Sequence, residues 1–301
     1  MTRCLVLPVA LLVLSVAICA TPPEKFDGGK AYEHVRQLVA IGPRPPASPG
    51  IEKARQYIRD QMKTFGLAVT DQAFDADTPL GRVRMANLIV HIPGQSPERI
   101  LFGGHYDTKL YREFWFVGAN DAGSSTAFLI ELARVLKSRQ SRYTIELVFF
   151  DGEESLLPEW ESGHTYGSRH YVAAARAAGT LAQIHAMILL DMIGDRDLRI
   201  MRESGSTRWL TDLFWAAAKR LGHDEVFVDE STQIEDDHMP FIEAGVPAVD
   251  IIDLDYLPYW HTKDDTLDKV SARSMQVVGD VVLAALPAIE SRPATRPNAG
   301  R

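Results

Sequence analysis

Cysteine is nearly missing from this chain: two residues among 301, Cys4 and Cys19. Both fall in the N-terminal segment, so a chain trimmed after Ala20 has none. A disulfide framework is thereby excluded, and thiolates leave the roll of possible nucleophiles and metal ligands. Any zinc must be held by imidazole and carboxylate. Basic clusters are missing as well. Lys and Arg number 32 against 40 Asp and Glu, for a net charge of -8, and no Lys/Arg-rich stretch offers the basic face that a phosphate backbone requires; no nucleic-acid partner is expected. Nor does a Gly/Ser linker, a composition shift, an internal repeat or a low-complexity block divide the chain. One large domain is the reading, and without disulfides it must rely on its core, for which some 280 residues are ample.

A long uncharged apolar run occurs at the very start. Met1-Thr2-Arg3 gives a short basic opening, Cys4 to Ile18 is almost unbroken apolar sequence, and Ala17-Ile18-Cys19-Ala20 offers small residues for cleavage. That is the layout of a secretory signal over residues 1–20. A membrane anchor fits less well, because a spanning helix needs about 20 apolar residues. Export to the periplasm or medium is expected, with no stable membrane insertion once the signal is removed. Lipid attachment at Cys19 is the lesser alternative, because Ile18 before it is bulky.

Residues 21–29 read as a linker. From there the chain shows helical spacing at Tyr32, Val35, Leu38 and Val39, a proline-rich break over Ile41 to Pro46, and a second helix to about Phe65. Strands follow at roughly 67–73 and 83–92. A regular alternation then sets in: strands at 100–105, 143–150, 184–190, 198–201, 226–228 and 248–252, and helices at 122–136, 167–178, 207–221, 238–244 and 271–286. Such alternation implies an α/β domain, a sheet with helices on both faces, over residues 30–288. Residues 289–301, rich in Pro, Thr, Asn and Arg, read as a disordered tail.

The chemistry collects where apolar strands stop. Leu147-Val148-Phe149-Phe150 runs into Asp151-Gly152-Glu153-Glu154, and the carboxyl end of a buried strand opens into the crevice where α/β sheets bind ligands. Two adjacent carboxylates there require a cation or a shared proton. His105 ends another strand, Asp121 opens a helix, Asp191 ends a third strand after Met187-Ile188-Leu189-Leu190, and His261 follows a fourth. One partition puts Asp121, Glu154 and His261 on a zinc ion. His105 and Asp191 then join a second zinc bridged through Asp121, or stand behind the first. Glu153 is left as the proton carrier, since neighbours on an extended chain point in different directions. Asp107 is placed to orient His105. His34, His91, His164, His170, His185 and His223 lack such company and read as surface or core residues.

These segments resemble a known family. Gly104-His105-Tyr106-Asp107, Asn120-Asp121-Ala122-Gly123, Phe150-Asp151-Gly152-Glu153-Glu154, Tyr166-Gly167-Ser168-Arg169, Leu190-Asp191-Met192-Ile193-Gly194, Asp236-Asp237-His238 and Trp260-His261-Thr262 are similar, in order, to the motifs of metallopeptidase family 28. The likeness spans roughly residues 30–288. Within the family, His105 through Lys109, Asp236-Asp237-His238-Met239-Pro240-Phe241 and Trp260 through Asp265 look most like the glutaminyl-peptide cyclotransferases. The resemblance implies a single-domain three-layer α/β/α fold with a mixed, mostly parallel sheet. It also implies one zinc on Asp121, Glu154 and His261, Glu153 as acid/base, and Asp191 and Asp236 in a hydrogen-bond network at the leaving group. Lys109, Trp160 and Trp260 would stand at the pocket. The substrate would be a peptide or protein N-terminus. A two-zinc aminopeptidase uses the same ligand inventory and remains the alternative; a metal-free binding domain of the same fold is a third reading.

Overall fold

The structure is a computed structural model that describes residues 24–158, 160 and 163–293. The expected signal peptide and most of the expected tail lie outside the described residues.

Six strands form the central sheet. In chain order they are β1 (Val69–Thr78), β2 (Gly81–Ile92), β3 (Ser96–His105), β4 (Tyr143–Phe150), β5 (Ile184–Asp191) and β8 (Ala248–Ile252), with spatial order β1-β2-β4-β3-β5-β8. The first hairpin is antiparallel, β2 meets β4 antiparallel, and the remaining pairs, β4 with β3, β3 with β5 and β5 with β8, are parallel. The sheet is thus mixed and mostly parallel, as expected. A separate parallel pair is made by β6 (Ile200–Glu203) and β7 (Phe227–Thr232).

Strand side chains alternate between two cores, as period-two geometry requires. Ile100, Phe102, Leu147, Phe149, Ile188 and Leu190 point to one face, where helices α1 (Gly28–Ile41), α2 (Pro49–Thr64), α3 (Gly123–Leu136), α5 (Arg208–Leu221) and α7 (Ala272–Ser291) pack. Leu101, Val148, Phe150, Met187 and Leu189 point to the other, under α4 (Tyr166–Ala177) and α6 (Met239–Glu243). This is the three-layer arrangement. Helix α7 is long and apolar enough to cross a membrane, yet Met275, Val278, Val281, Val282 and Ala285 bury one of its faces in the larger core.

Two boundaries need correction. Within the expected linker, residues 24–29 are part of the domain: Phe26 is buried against Phe128, with ring centroids 4.6 Å apart, and Asp27 caps α1 by accepting from the amides of Gly29 and Lys30. A lone aromatic carries no periodicity, so the sequence hides this docking. At the other end α7 continues through Pro287 to Ser291, past the expected stop at 286 and into the expected tail. Two polar strands also run beyond their expected ends. β1 runs to Thr78 and β7 to Thr232 because edge strands can expose Asp75, Asp77, Asp229 and Glu230.

Strand register sets the site. His105 of β3 pairs with Phe150 of β4, Gly103 with Leu189 of β5, and Asp191 of β5 with Ile252 of β8. The carboxyl ends of four neighbouring strands therefore finish on one rim.

Candidate metal centre

The turn after β4 is built to present two glutamates in different directions. Asp151 is fully buried, ion-paired to Arg55, and accepts from the Ala86 amide at 2.7 Å. Gly152 follows with φ 70°, and a Cβ there would lie 2.5 Å from the Met85 sulfur; only glycine turns the chain at this point. Asp107 then receives the amides of Glu153 and Glu154, at 3.2 and 3.3 Å, on its two oxygens. The sequence suggested that Asp107 orients His105, and its Oδ1 does lie 3.6 Å from His105 Nδ1. Its grip on the glutamate backbone was not foreseen.

Glu154 faces Asp121 and His261. His261 Nε2 is 3.2 Å from Glu154 Oε1 and 3.3 Å from Asp121 Oδ2. Among the described residues neither carboxylate atom, nor Glu154 Oε2, has a hydrogen-bond donor, although all are buried. Such isolation of charge is costly. Burial, with Asp121 alongside, pushes the Glu154 carboxyl above the usual range, against the opposing pull of His261. A cation resolves the conflict: donor atoms about 2.0 Å from a tetrahedral zinc stand about 3.3 Å from one another, which is the spacing seen from His261 Nε2 to each carboxylate. These three residues fit the metal.

A second cluster shares Asp121. His105 Nε2 lies 3.3 Å from Asp121 Oδ1 and 3.2 Å from Asp191 Oδ1. Ligand atoms of His105, Asp121 and Asp191, and likewise those of Asp121, Glu154 and His261, all fall within 4.8 Å of one another. Asp191 also accepts from the Met192 amide at 2.8 Å.

Glu153 belongs to neither ligand group, although its Oε2 lies 3.7 Å from His105 Nδ1, and it lines a cleft of about 330 Å³ with Trp160, Trp260, Ile234, Asp191 and Asp236. Burial raises its carboxyl well above the ordinary value; Asp236, Glu154 and Asp237 add to the rise and His105 opposes it. Asp236 is pushed up to about 7 by burial and by Asp191. Trp260 stacks on His261, with centroids 4.1 Å apart, and Trp160 stacks on His164 at 4.4 Å.

Lys109 is placed differently from the expectation. It is buried, with Nζ 3.2 Å from the Ser155 carbonyl, 3.8 Å from Glu154 Oε2 and 5.9 Å from the Trp160 ring centre, and it is not among the residues that line the cleft. His164, read as structural, backs the wall through Trp160. Three further residues have contacts here without any role expected from the sequence. Asp237 accepts from the Ser168 hydroxyl at 2.5 Å, His238 is held 3.1 Å from Glu203, and Asp250 is buried 3.5 Å from His238. The string Asp236-Asp237-His238 was a signal for two of them; Asp250 lies inside an apolar strand with nothing to mark it.

Residues 87–286, well over half of the chain, match Peptidase family M28. The chain belongs to this family. Within M28 it is similar to the cattle (Bos taurus) glutaminyl-peptide cyclotransferase-like protein, 29% identical over 77% of this chain and 68% of that protein. Among solved structures, a glutaminyl cyclase from an Acidobacteriales bacterium is 42% identical, with TM-score 0.86, covering 93% of this chain and 100% of that one. A leucine aminopeptidase precursor from Bacteroides thetaiotaomicron is 27% identical, with TM-score 0.81, over 88% and 98%. The M28 likeness and its lean toward the cyclase branch, both expected from the motifs, are borne out.

Proposed function

We propose that this M28 protein is an exported, zinc-dependent glutaminyl-peptide cyclotransferase, closing the N-terminal Gln of a peptide or protein to pyroglutamate with release of ammonia. The observation that carries this reading is the division of labour after β4. Glu154 is aimed at His261 and Asp121, while Glu153, one residue earlier, opens on the cleft with a carboxyl poised to hold a proton. The 42% identity to a solved glutaminyl cyclase supports it.

Asp121, Glu154 and His261 would hold the zinc. Bound there, the metal supplies Lewis acidity toward the carbonyl of the substrate's side-chain amide. The chain's own residues do the rest. The substrate's α-amine nitrogen attacks the side-chain amide carbon, the new C–N bond forms, the old one breaks, and ammonia leaves. Glu153 accepts the proton that the amine sheds and returns it to the departing nitrogen, a task suited to a carboxyl raised toward working pH. Asp191 and Asp236 supply hydrogen-bonding groups on the same wall. Trp160 and Trp260 shield the reacting end of the peptide from water and orient it.

A Gln-initiated peptide and a Leu-anilide assayed side by side test the reading. Ammonia release with loss of the free amine is expected from the first and no hydrolysis from the second; release of free amino acids without cyclisation would refute it. Because the two clusters share Asp121, a two-zinc aminopeptidase is the second reading, signalled by two zinc ions per chain together with Leu-anilide cleavage. Export is checked by sequencing the mature N-terminus, expected after Ala20.

A further inference from the structure

Three of the ligand-bearing turns leave ordinary backbone space at or beside their acid or imidazole. Ala122 follows Asp121 with φ 73°, Met192 follows Asp191 with φ 45°, and His261 itself has φ 57°. None is glycine, and side-chain-bearing residues keep such conformations only where their surroundings fix them.

Asp265 does the fixing between two of these turns. It lies four residues past His261 in the same loop and is fully buried. Its Oδ1 accepts from the Asn120 amide at 2.8 Å and its Oδ2 from the Asp121 amide at 3.1 Å, while its own carbonyl accepts from Ala119 at 3.4 Å. Three successive amides leading into Asp121 are thus held by one residue of the His261 loop. The Tyr256 hydroxyl, 2.7 Å from Oδ1, steadies the carboxylate. From the other side buried Arg44 donates to the carbonyls of Val117 and Gly118, at 2.7 and 3.1 Å. Asn120 joins the same turn to the one after β5, donating to Met192 O at 3.2 Å and accepting from the Gly194 amide at 2.8 Å.

We infer that Asp265 is a positioning residue that sets the separation of His261 from Asp121, holding two zinc ligands at a metal's span before the metal arrives. The inference rests on reading Asp121, Glu154 and His261 as the ligands. Carboxylate is the right group for the task, because both its oxygens accept. An asparagine of the same shape must turn an NH2 toward one main-chain N–H and so loses one tie.

The test is the zinc Kd, by competition with a chelator, of the full chain and of the variants D265N, Y256F, D264N and E154Q. Outer partners of metal ligands are typically worth about 10–100-fold in affinity. D265N is expected to weaken zinc by that factor, Y256F by less in the same direction, and D264N, at the exposed neighbour, not at all. A purely structural role would lower the melting temperature of metal-free D265N and leave its Kd at the parent value; that result overturns the inference. Should D265N fail to fold, Y256F decides, an unchanged Kd counting against the role and a weakened one for it. Parent-like binding in D265N with loss in E154Q sinks only the positioning role. A parent chain that binds no zinc, or an E154Q that binds it fully, sinks the ligand assignment and the inference with it.

Discussion

Two glutamates, one in β4 and one just past its end, are equally buried and opposite in character. Glu146 is saturated: Arg99 and His91 each approach to 2.9 Å, and Tyr171 donates its hydroxyl. Although burial works against its charge, these partners hold its carboxyl below the ordinary value. Glu154, eight residues on, has among the described residues a hydrogen-bond donor to neither oxygen, and burial raises its carboxyl. A buried acid kept for stability brings its cations and donors with it. A buried acid set among other acids, with His261 at 3.2 Å and Lys109 at 3.8 Å but no hydrogen-bond donor to it among the described residues, is one that a bound cation completes.

The contrast breaks most sharply by mutation. Glu154→Gln is expected to weaken zinc at least about 100-fold and abolish turnover, because a charged ligand oxygen is removed. Glu146→Gln is expected to leave the zinc Kd unchanged and cost about 2–3 kcal/mol in denaturant unfolding, because hydrogen bonds to a charged group are lost. Equal zinc loss in both variants would erase the distinction.

Acid and base should also act oppositely on the two regions. Glu146, lowered in the folded state, contributes stability above its unfolded value near 4.5 that is lost as pH falls. Asp236, raised to about 7 from 3.8, contributes stability that is full below pH 3.8 and lost as pH rises through about 7. Metal-free protein should therefore weaken from pH 4 to 7, by at most about 1.4 kcal/mol per pH unit from this one group. Asp236→Asn should flatten that slope in a series of urea melts; an unchanged slope would remove Asp236 from the account.

A smaller effect is expected on the cleft wall. Trp260 covers His261 on one side and lines the cleft on the other. Trp260→Ala should raise KM for a Gln-peptide about tenfold, the scale of one aromatic contact, with kcat little changed. A fall in kcat with KM intact would place the indole in the chemistry instead.

How much of this was legible in the sequence follows the same division. Strands announced themselves by apolar runs, and the acids that stop those runs marked the rim, because a charge at the end of a buried strand violates composition in a visible way. The order β2-β4-β3-β5 was not legible: apolar runs say that a strand is buried, not which neighbour it takes. Phe26 and the polar halves of β1 and β7 were lost for want of periodicity. In the site, Asp121, Glu154 and His261 could be proposed together from their places in the chain. The grips of Asp107, Arg44 and Asp265 could not, since each depends on turns with positive φ that bring distant amides and carbonyls within reach. Lys109 shows the converse, a motif residue buried beside Glu154 that does not line the cleft.

Glu153 carries the sharpest claim, that the residue beside a metal ligand is itself no ligand but the proton carrier. The direct measurement is the zinc Kd and the Gln-peptide turnover of purified Glu153→Gln. Zinc bound as in the parent with kcat down about 10²–10⁴-fold is the expected result; zinc lost along with activity, or turnover near the parent rate, would contradict it.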